Sequence, residues 1–249
     1  MALSILDAGD TAFTIEFGNA IDPALQAEVD VLDHAIEHAC ARGELHGVIE
    51  TVPTFRSLTV IYNPVETDRE TLLARVMPLA QAATHARTNP ARHWLLPACY
   101  EGDAAPDLAD TAKALGASPE RVVELHATTE YVVYMLGFLP GFPFMGDLPE
   151  ALRLPRRTEP RVRVPPGSIA IAAGLTAIYP WESPGGWHLL GRCPVPLFDP
   201  SRAQPALLRA GDRVRFTAIS SAECARLDRA LAAGELDPDT WCQAEAQTA

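Results

Sequence analysis

A chain of 249 residues, 48% hydrophobic and 21% charged, has the composition of a folded protein with room for one large domain or two modest ones. Its net charge of −12, from 20 Lys+Arg against 32 Asp+Glu, excludes the broad basic surface that holds nucleic acid or anionic membrane. Lys113 is the only lysine and follows no glycine-rich loop, which excludes a Walker-type phosphate loop and a lysine Schiff base elsewhere in the chain.

Residues 11–17 alternate apolar and polar with the period of a strand. Asp22 and Pro23 supply an N-cap and a first-turn proline, and Leu25, Val29, Leu32 and Ile36 follow as one apolar stripe at helical spacing. Segments 47–52 and 57–62 read as paired strands, stopped by Asn63 and Pro64. A second helix opens near Thr67 and Asp68 and runs to about Arg75 or beyond, with Pro78 expected to end or kink it. Segment 93–99 is a candidate closing strand. The order β-α-β-β-α-β predicts a small split βαβ, α+β domain over residues 1–90, joined to the rest near Asn89 and Pro90.

Two helices are expected next, over 108–115 and 118–126, the second opened by Ser118 and Pro119. An apolar strand covers 130–138, with further strands at 168–172, 175–179, 187–192 and 213–219. Of the 22 prolines 13 lie between residues 140 and 205, which forbids helix there and predicts short strands with ordered loops. A last helix starts at the capping box of Ser220 and Glu223 and carries Leu227 and Leu231 on its stripe. Residues 91–249 therefore read as a second, mostly-β domain. Cys40, Cys99, Cys193, Cys224 and Cys242 are odd in number and scattered, as expected of reduced thiols in a cytoplasmic protein. No leader-like start and no run of eighteen apolar residues occurs, which agrees with that expectation.

Several residue types invite a chemical reading. His34 and His38 stand one helical turn apart but point away from the apolar stripe, and no third ligand is nearby, so a solvated face is expected and no metal site. No G-x-S-x-G elbow exists, and Cys99 and Cys193 read as small buried hydrophobes. Residues 153–163 differ: five arginines and one glutamate make a net of +4 inside a chain of −12, a local inversion that either neutralises the acidic surface of the same protein or focuses a small anion in a cleft. Prolines at 155, 160, 165 and 166 restrain that loop, which reduces the entropy lost when guanidinium forks engage a ligand. Glycine-rich loops at 137–146 and 182–188 offer backbone N–H groups for an oxyanion.

The ordered set of motifs carries a resemblance. The run 131–144 reads Tyr-Val-Val-Tyr-Met-Leu-Gly-Phe-Leu-Pro-Gly-Phe-Pro-Phe, followed by Pro155-Arg156, Pro160-Arg161, Val164-Pro-Pro-Gly-Ser168, Ile178-Tyr-Pro180, the stretch 182–187, Gly191-Arg192 and Phe198-Asp-Pro200. With Val52-Pro53, Ser57-Leu58, Tyr62-Asn-Pro64, Pro106-Asp107-Leu108 and Leu125-His126, this resembles the KipI/PxpB family over nearly the whole chain. That family is the B subunit of 5-oxoprolinase, formerly labelled allophanate hydrolase subunit 1 and related to carboxyltransferase subdomains C and D of urea carboxylase.

The resemblance implies an N-terminal α+β domain followed by a cyclophilin-like β-barrel domain over 91–249. It implies work in a complex with the C subunit of 5-oxoprolinase, which is a second cyclophilin-like protein, and with the A subunit of that enzyme. Together they would cleave 5-oxo-L-proline to L-glutamate with hydrolysis of ATP. ATP, taken with or without Mg, is then a co-substrate, no tightly bound cofactor is expected, and the isolated chain is expected to be inactive. Phosphorylating the lactam oxygen turns a resonance-stabilised amide into a good electrophile, so the site must hold anions. On the matched motifs, His126 is the candidate for proton transfer and Arg161 the catalytic anion clamp. Arg163, Gly141, Phe142, Gly185, Gly186 and Trp187 are expected to bind substrate or phosphate. Alternatives within the resemblance are an inhibitor of a sensor histidine kinase and an allophanate hydrolase component of urea degradation.

Overall fold

Side-chain caps set where the helices begin. A computed structural model of the protein describes residues 3–84 and 91–243. The chain divides into two compact units, Met1–Ala91 and Arg92–Ala249. The expected junction at Asn89 and Pro90 lies outside the described residues.

In the first unit, β1 (Ser4–Asp7), β2 (Ala12–Glu16), β3 (Val48–Pro53) and β4 (Ser57–Tyr62) form an antiparallel sheet in the order β1-β2-β4-β3. Helices α1 (Pro23–Ala41) and α2 (Arg69–Ala83) are capped by Asp22, which accepts from Ala24 N–H, and Asp68, which accepts from Thr71 N–H. Phe13, Ile15 and Phe17 meet Leu58 and Val60 of β4, and this cluster receives Val29, Leu32 and Ile36 of α1 and Leu72 and Val76 of α2. Pro78 neither ends nor breaks α2, because Val76, Ala80 and Ala83 continue its buried face to the last turn.

The strand order differs from the expected β-α-β-β-α-β. Ser4–Asp7 is an additional first strand, three of its four residues exposed, so it carries no periodic apolar signal. The segment His93–Cys99, expected to close this sheet, belongs to the second unit instead. Its last four residues are all buried, which demands cover on both faces, and an edge of the first sheet does not provide that.

The second unit is a closed barrel of seven strands with helices. β5 (His93–Cys99), β6 (Tyr131–Leu136), β7 (Pro143–Gly146), β9 (Ser168–Ala172), β10 (Leu175–Ile178), β12 (His188–Arg192) and β13 (Arg213–Ile219) run in the order β12-β9-β10-β7-β6-β13-β5. The ring closes where Cys99 of β5 pairs with Arg192 of β12. β5 and β13 are parallel along their whole length, and β14 (Cys242–Gln243) pairs antiparallel with the first two residues of β5. Helices α3 (Leu108–Leu115), α4 (Pro119–Thr128) and α5 (Ser221–Ala232) complete the unit together with a separate two-stranded ribbon, β8 (Arg161–Val164) and β11 (Ser183–Gly185).

Period-two alternation divides the wall residues between two cores. Ile169, Ile171, Ile178 and Leu190 join the main cluster with Leu96, Val133, Met145 and Phe216. Their neighbours Ala170, Ala172, Ala177, Tyr179 and Leu189 face a second cluster with Phe142, Val164 and Trp187. Val164 anchors the arginine-bearing ribbon in this second core, which explains why a proline- and glycine-rich stretch is ordered without being helical.

Candidate functional site

The ribbon fixes the arginine-rich segment. Arg161 is the cross-strand partner of Gly185, Val164 that of Ser183, and Arg157 N–H donates to the Gly186 carbonyl at 2.8 Å. A Cβ on Gly185 would come within 2.5 Å of the Tyr179 hydroxyl oxygen, so only glycine fits there. Gly186 has ordinary space around it, its nearest neighbour Pro160 Cβ lying 3.6 Å from an ideal Cβ. Sterics therefore demand the first glycine of the pair, to pack against Tyr179, and leave the second free.

At the end of this ribbon lies a charge cluster centred on Asp107, at the start of α3. Its Oδ1 accepts from Arg161 Nη2 and, at 3.3 Å, from Arg157 Nη1, while Oδ2 accepts from Leu189 N–H at 2.7 Å. The Asp107 side chain is 5% exposed, Arg161 25% and Arg157 31%, so the arginines lie between the carboxylate and solvent. Burial pushes the Asp107 carboxyl up, but the Arg161 and Leu189 hydrogen bonds and both guanidinium charges outweigh it and hold it below the usual carboxylate range. Arg161 Nη1 is out of solvent contact and, among the described residues, without a hydrogen-bond partner. Arg156 stands beside the cluster with its guanidinium carbon 6.0 Å from the Trp187 ring centroid.

The structure thus brings together Arg161, Gly185, Gly186 and Trp187 of the residues expected from sequence, and adds Arg156, Arg157 and Asp107. Trp187 and Phe142 are 5% and 2% exposed. Phe142 packs edge to face on Trp187 and Tyr179, and Trp187 on Phe144, so they form an aromatic layer whose Trp187 ring carries Arg156. Gly141 makes the turn between β6 and β7 at φ +75°, where Phe142 N–H donates to the Leu139 carbonyl and a Cβ would meet the Leu197 carbonyl at 2.9 Å. Arg163 is 76% exposed and pairs with Glu182 at 2.8 Å, apart from Asp107.

His126 requires a correction. It is fully buried in the main core, stacked on Phe216 with centroids 4.9 Å apart. Thr176 Oγ1 donates to the Ala170 carbonyl, so it accepts from His126 Nε2–H at 2.9 Å, and Nδ1 accepts from the Tyr100 hydroxyl at 2.8 Å. Burial lowers the imidazole pKa from 6.5 to about 3, which keeps the ring neutral. A sealed, neutral ring with both nitrogens engaged has no free nitrogen to exchange a proton with a substrate. Val122 and His126 share the buried face of α4, and that i, i+4 spacing was the available sign of a core position.

Asp107 is the residue that sequence reading left unassigned. Pro106-Asp107-Leu108 looks like an ordinary helix start, but the carboxylate makes no capping bond. Its partners lie 50, 54 and 82 residues away, and local patterning does not report such pairings. Arg192 forms a bidentate pair with Asp228 of α5 at 2.7 and 2.8 Å, so it braces a helix. The neighbouring Cys193 is buried, and burial pushes its thiol up to about 12, which leaves it unreactive. A cavity of about 810 Å³ in the same unit is lined by Arg92, Trp94, Arg202 and Cys242, but both arginines there are matched, by Asp212 and Asp239.

The model of one protein family, the carboxyltransferase domain, subdomain C and D, matches residues 3–208. The chain belongs to this family. Three curated relatives, 38–43% identical, each carry the name of the B subunit of 5-oxoprolinase. The one from Bacillus subtilis (strain 168) is 40% identical over 223 residues, which cover 85% of this chain and 91% of the relative. The crystal structure of TTHA0988 superposes with a TM-score of 0.73 at 38% identity, covering 84% of this chain. This chain spans only 40% of that one. The family fold also occurs within the urea amidolyase of K. lactis, with a TM-score of 0.74 at 20% identity over 92% of this chain and 15% of that one.

Proposed function

We propose that the protein is the B subunit of an ATP-dependent 5-oxoprolinase, which opens 5-oxo-L-proline to L-glutamate as ATP is hydrolysed. The observation that carries this reading is the 38–43% identity to three proteins of that name, extending over most of the chain. The kinase-inhibitor and allophanate hydrolase readings draw no comparable support.

The local chemistry is compatible with it. A lactam becomes reactive towards water once its oxygen carries a phosphoryl group, and both the lactam carboxylate and the phosphoryl group are oxyanions. Arg161 and Arg157 offer charge-assisted N–H donors, with Arg156 beside them, and the low-dielectric layer of Trp187, Phe142 and Tyr179 strengthens each such bond. Arg163 adds long-range attraction from the surface. In this reading Arg161 is the anion clamp, Gly185 and Gly186 hold the backbone beside it, and proton transfer is left to a group other than His126.

The A and C subunits of 5-oxoprolinase are the proposed partners, ATP with or without Mg the co-substrate, and the cytoplasm the proposed site of action. The barrel is proposed to be cyclophilin-like, and the isolated chain to be inactive. In TTHA0988 and the urea amidolyase the matched fold is part of a longer chain, which accords with a unit that works joined to others. The test is purification with the A and C subunits, followed by assay of 5-oxoproline-dependent ATP hydrolysis. Phosphate release matched by glutamate is expected, and a chain that binds neither partner and supports no such turnover contradicts the reading.

A further inference from the structure

We propose that Asp107 is a positioning residue, which holds Arg161 and Arg157 together as one donor unit for an oxyanion. The inference rests on the reading of this cluster as the anion site of a 5-oxoprolinase. Asp107 is anchored independently of the arginines: its N–H donates to the Leu189 carbonyl at 3.1 Å, and Leu189 N–H donates back to Oδ2 at 2.7 Å. This two-way pairing to β12 fixes the carboxylate, so the long arginine side chains align on it. Oδ1 then accepts from both guanidiniums.

Two further observations separate this arrangement from an ordinary structural ion pair. Asp107 occupies the N-cap position of α3, where an aspartate ordinarily bonds the first free N–H groups of the helix, and its side chain makes no such bond. The carboxylate is directed across the chain instead. Two guanidiniums against one carboxylate leave one unbalanced positive charge, and Arg161 Nη1 is a buried donor with no acceptor among the described residues. A single carboxylate or phosphate group bound at the solvent-facing parts of the two side chains, which are 25% and 31% exposed, would supply the missing negative charge. Without Asp107 the two arginines would repel each other and lose their common orientation.

The test is a double-mutant cycle in the complex with the A and C subunits, with anion binding to the full chain measured alongside. Asp107→Asn keeps the size of the side chain and an oxygen for Leu189 N–H, but removes the charge that aligns the guanidiniums. The expected result is a rise of at least about 10-fold in the KM for 5-oxoproline, with a smaller change in kcat. Arg161→Ala should act in the same direction, and adding Asp107→Asn to it should cost less than about twofold more, because a residue acting through Arg161 has nothing left to position. Asp107→Glu, which retains the charge, should recover part of the loss. Unchanged KM in a folded Asp107→Asn complex, or full additivity with Arg161→Ala, overturns the inference.

Calorimetry with inorganic phosphate and with 5-oxo-L-proline distinguishes the two sources of the oxyanion and does not depend on turnover. Whichever ligand binds the wild-type chain should bind Asp107→Asn at least about 10-fold more weakly, which also covers a loss of turnover through misassembly. If the wild-type complex has no 5-oxoprolinase activity but this weakening is found, the functional reading fails and the positioning role stands. If neither ligand binds the wild-type chain or complex, the positioning role fails as well.

Discussion

At the scale of single residues, the clearest consequences follow from two polar groups with opposite duties, the buried His126 and the part-exposed Arg161. His126 completes a chain from the Tyr100 hydroxyl through both ring nitrogens to Thr176 and the Ala170 carbonyl. Its folded pKa of about 3 lies below the unfolded value of 6.5, so the unfolded chain binds the proton more strongly. The stability carried by the neutral ring is therefore complete above about pH 6.5 and is lost as pH falls towards 3, at a limiting slope of about 1.4 kcal/mol per pH unit. Urea denaturation of the second unit between pH 7 and 4 should show this slope, and His126→Ala should remove it while lowering stability at pH 7 by about 3 kcal/mol. A wild-type stability that stays flat down to pH 4 contradicts the buried neutral ring. Arg161→Ala is predicted to lose activity in the reconstituted complex without losing assembly, as read by turnover and by size-exclusion chromatography. The two residues also mark the limit of a sequence reading. An arginine inside a +4 loop announces its chemistry by composition, whereas a histidine beside a matched motif gives no sign of which way its ring faces, apart from its spacing to Val122.

At the scale of elements, caps and packing decide. The starts of α1, α2, α4 and α5 were legible because Asp22, Asp68, Ser118 and Ser220 each accept a hydrogen bond from the first turn. The assignment of His93–Cys99 to a sheet was not legible, since its ladder partners come from distant segments, β13 along its whole length and β12 at Cys99. Pro78 leaves the Ala74 carbonyl without its usual N–H donor in the middle of α2. Pro78→Ala should therefore stabilise the first unit by about 1–3 kcal/mol, measured as a rise in its denaturation midpoint. The glycine pair at the end of β11 gives a sharper contrast. Gly185→Ala forces a Cβ against the Tyr179 hydroxyl and should destabilise the second unit by about 1–3 kcal/mol, while Gly186→Ala should change it by less than about 0.5 kcal/mol. Comparable melting temperatures for the two variants would show that the ribbon yields more easily than its packing suggests.

At the scale of the whole molecule, charge and family membership point the same way. The acidic excess is concentrated in residues 1–90, which hold 13 acidic and 5 basic residues, and the strongest counter-charge falls in the loop that leads into β8. With one lysine in the chain, anion chemistry here depends on arginine, on backbone N–H groups or on a partner. The proposed complex meets that condition if the Asp107–Arg161–Arg157 cluster holds one oxyanion while other chains contribute the rest of the site. The measurement that tests this most directly is 5-oxoproline-dependent ATP hydrolysis by the chain purified with the A and C subunits of the enzyme. Phosphate and glutamate are expected in equal amounts, abolished when this chain is omitted and strongly reduced by Arg161→Ala. Turnover that is unchanged without this chain, or that Arg161→Ala leaves at the wild-type rate, would contradict the proposed function.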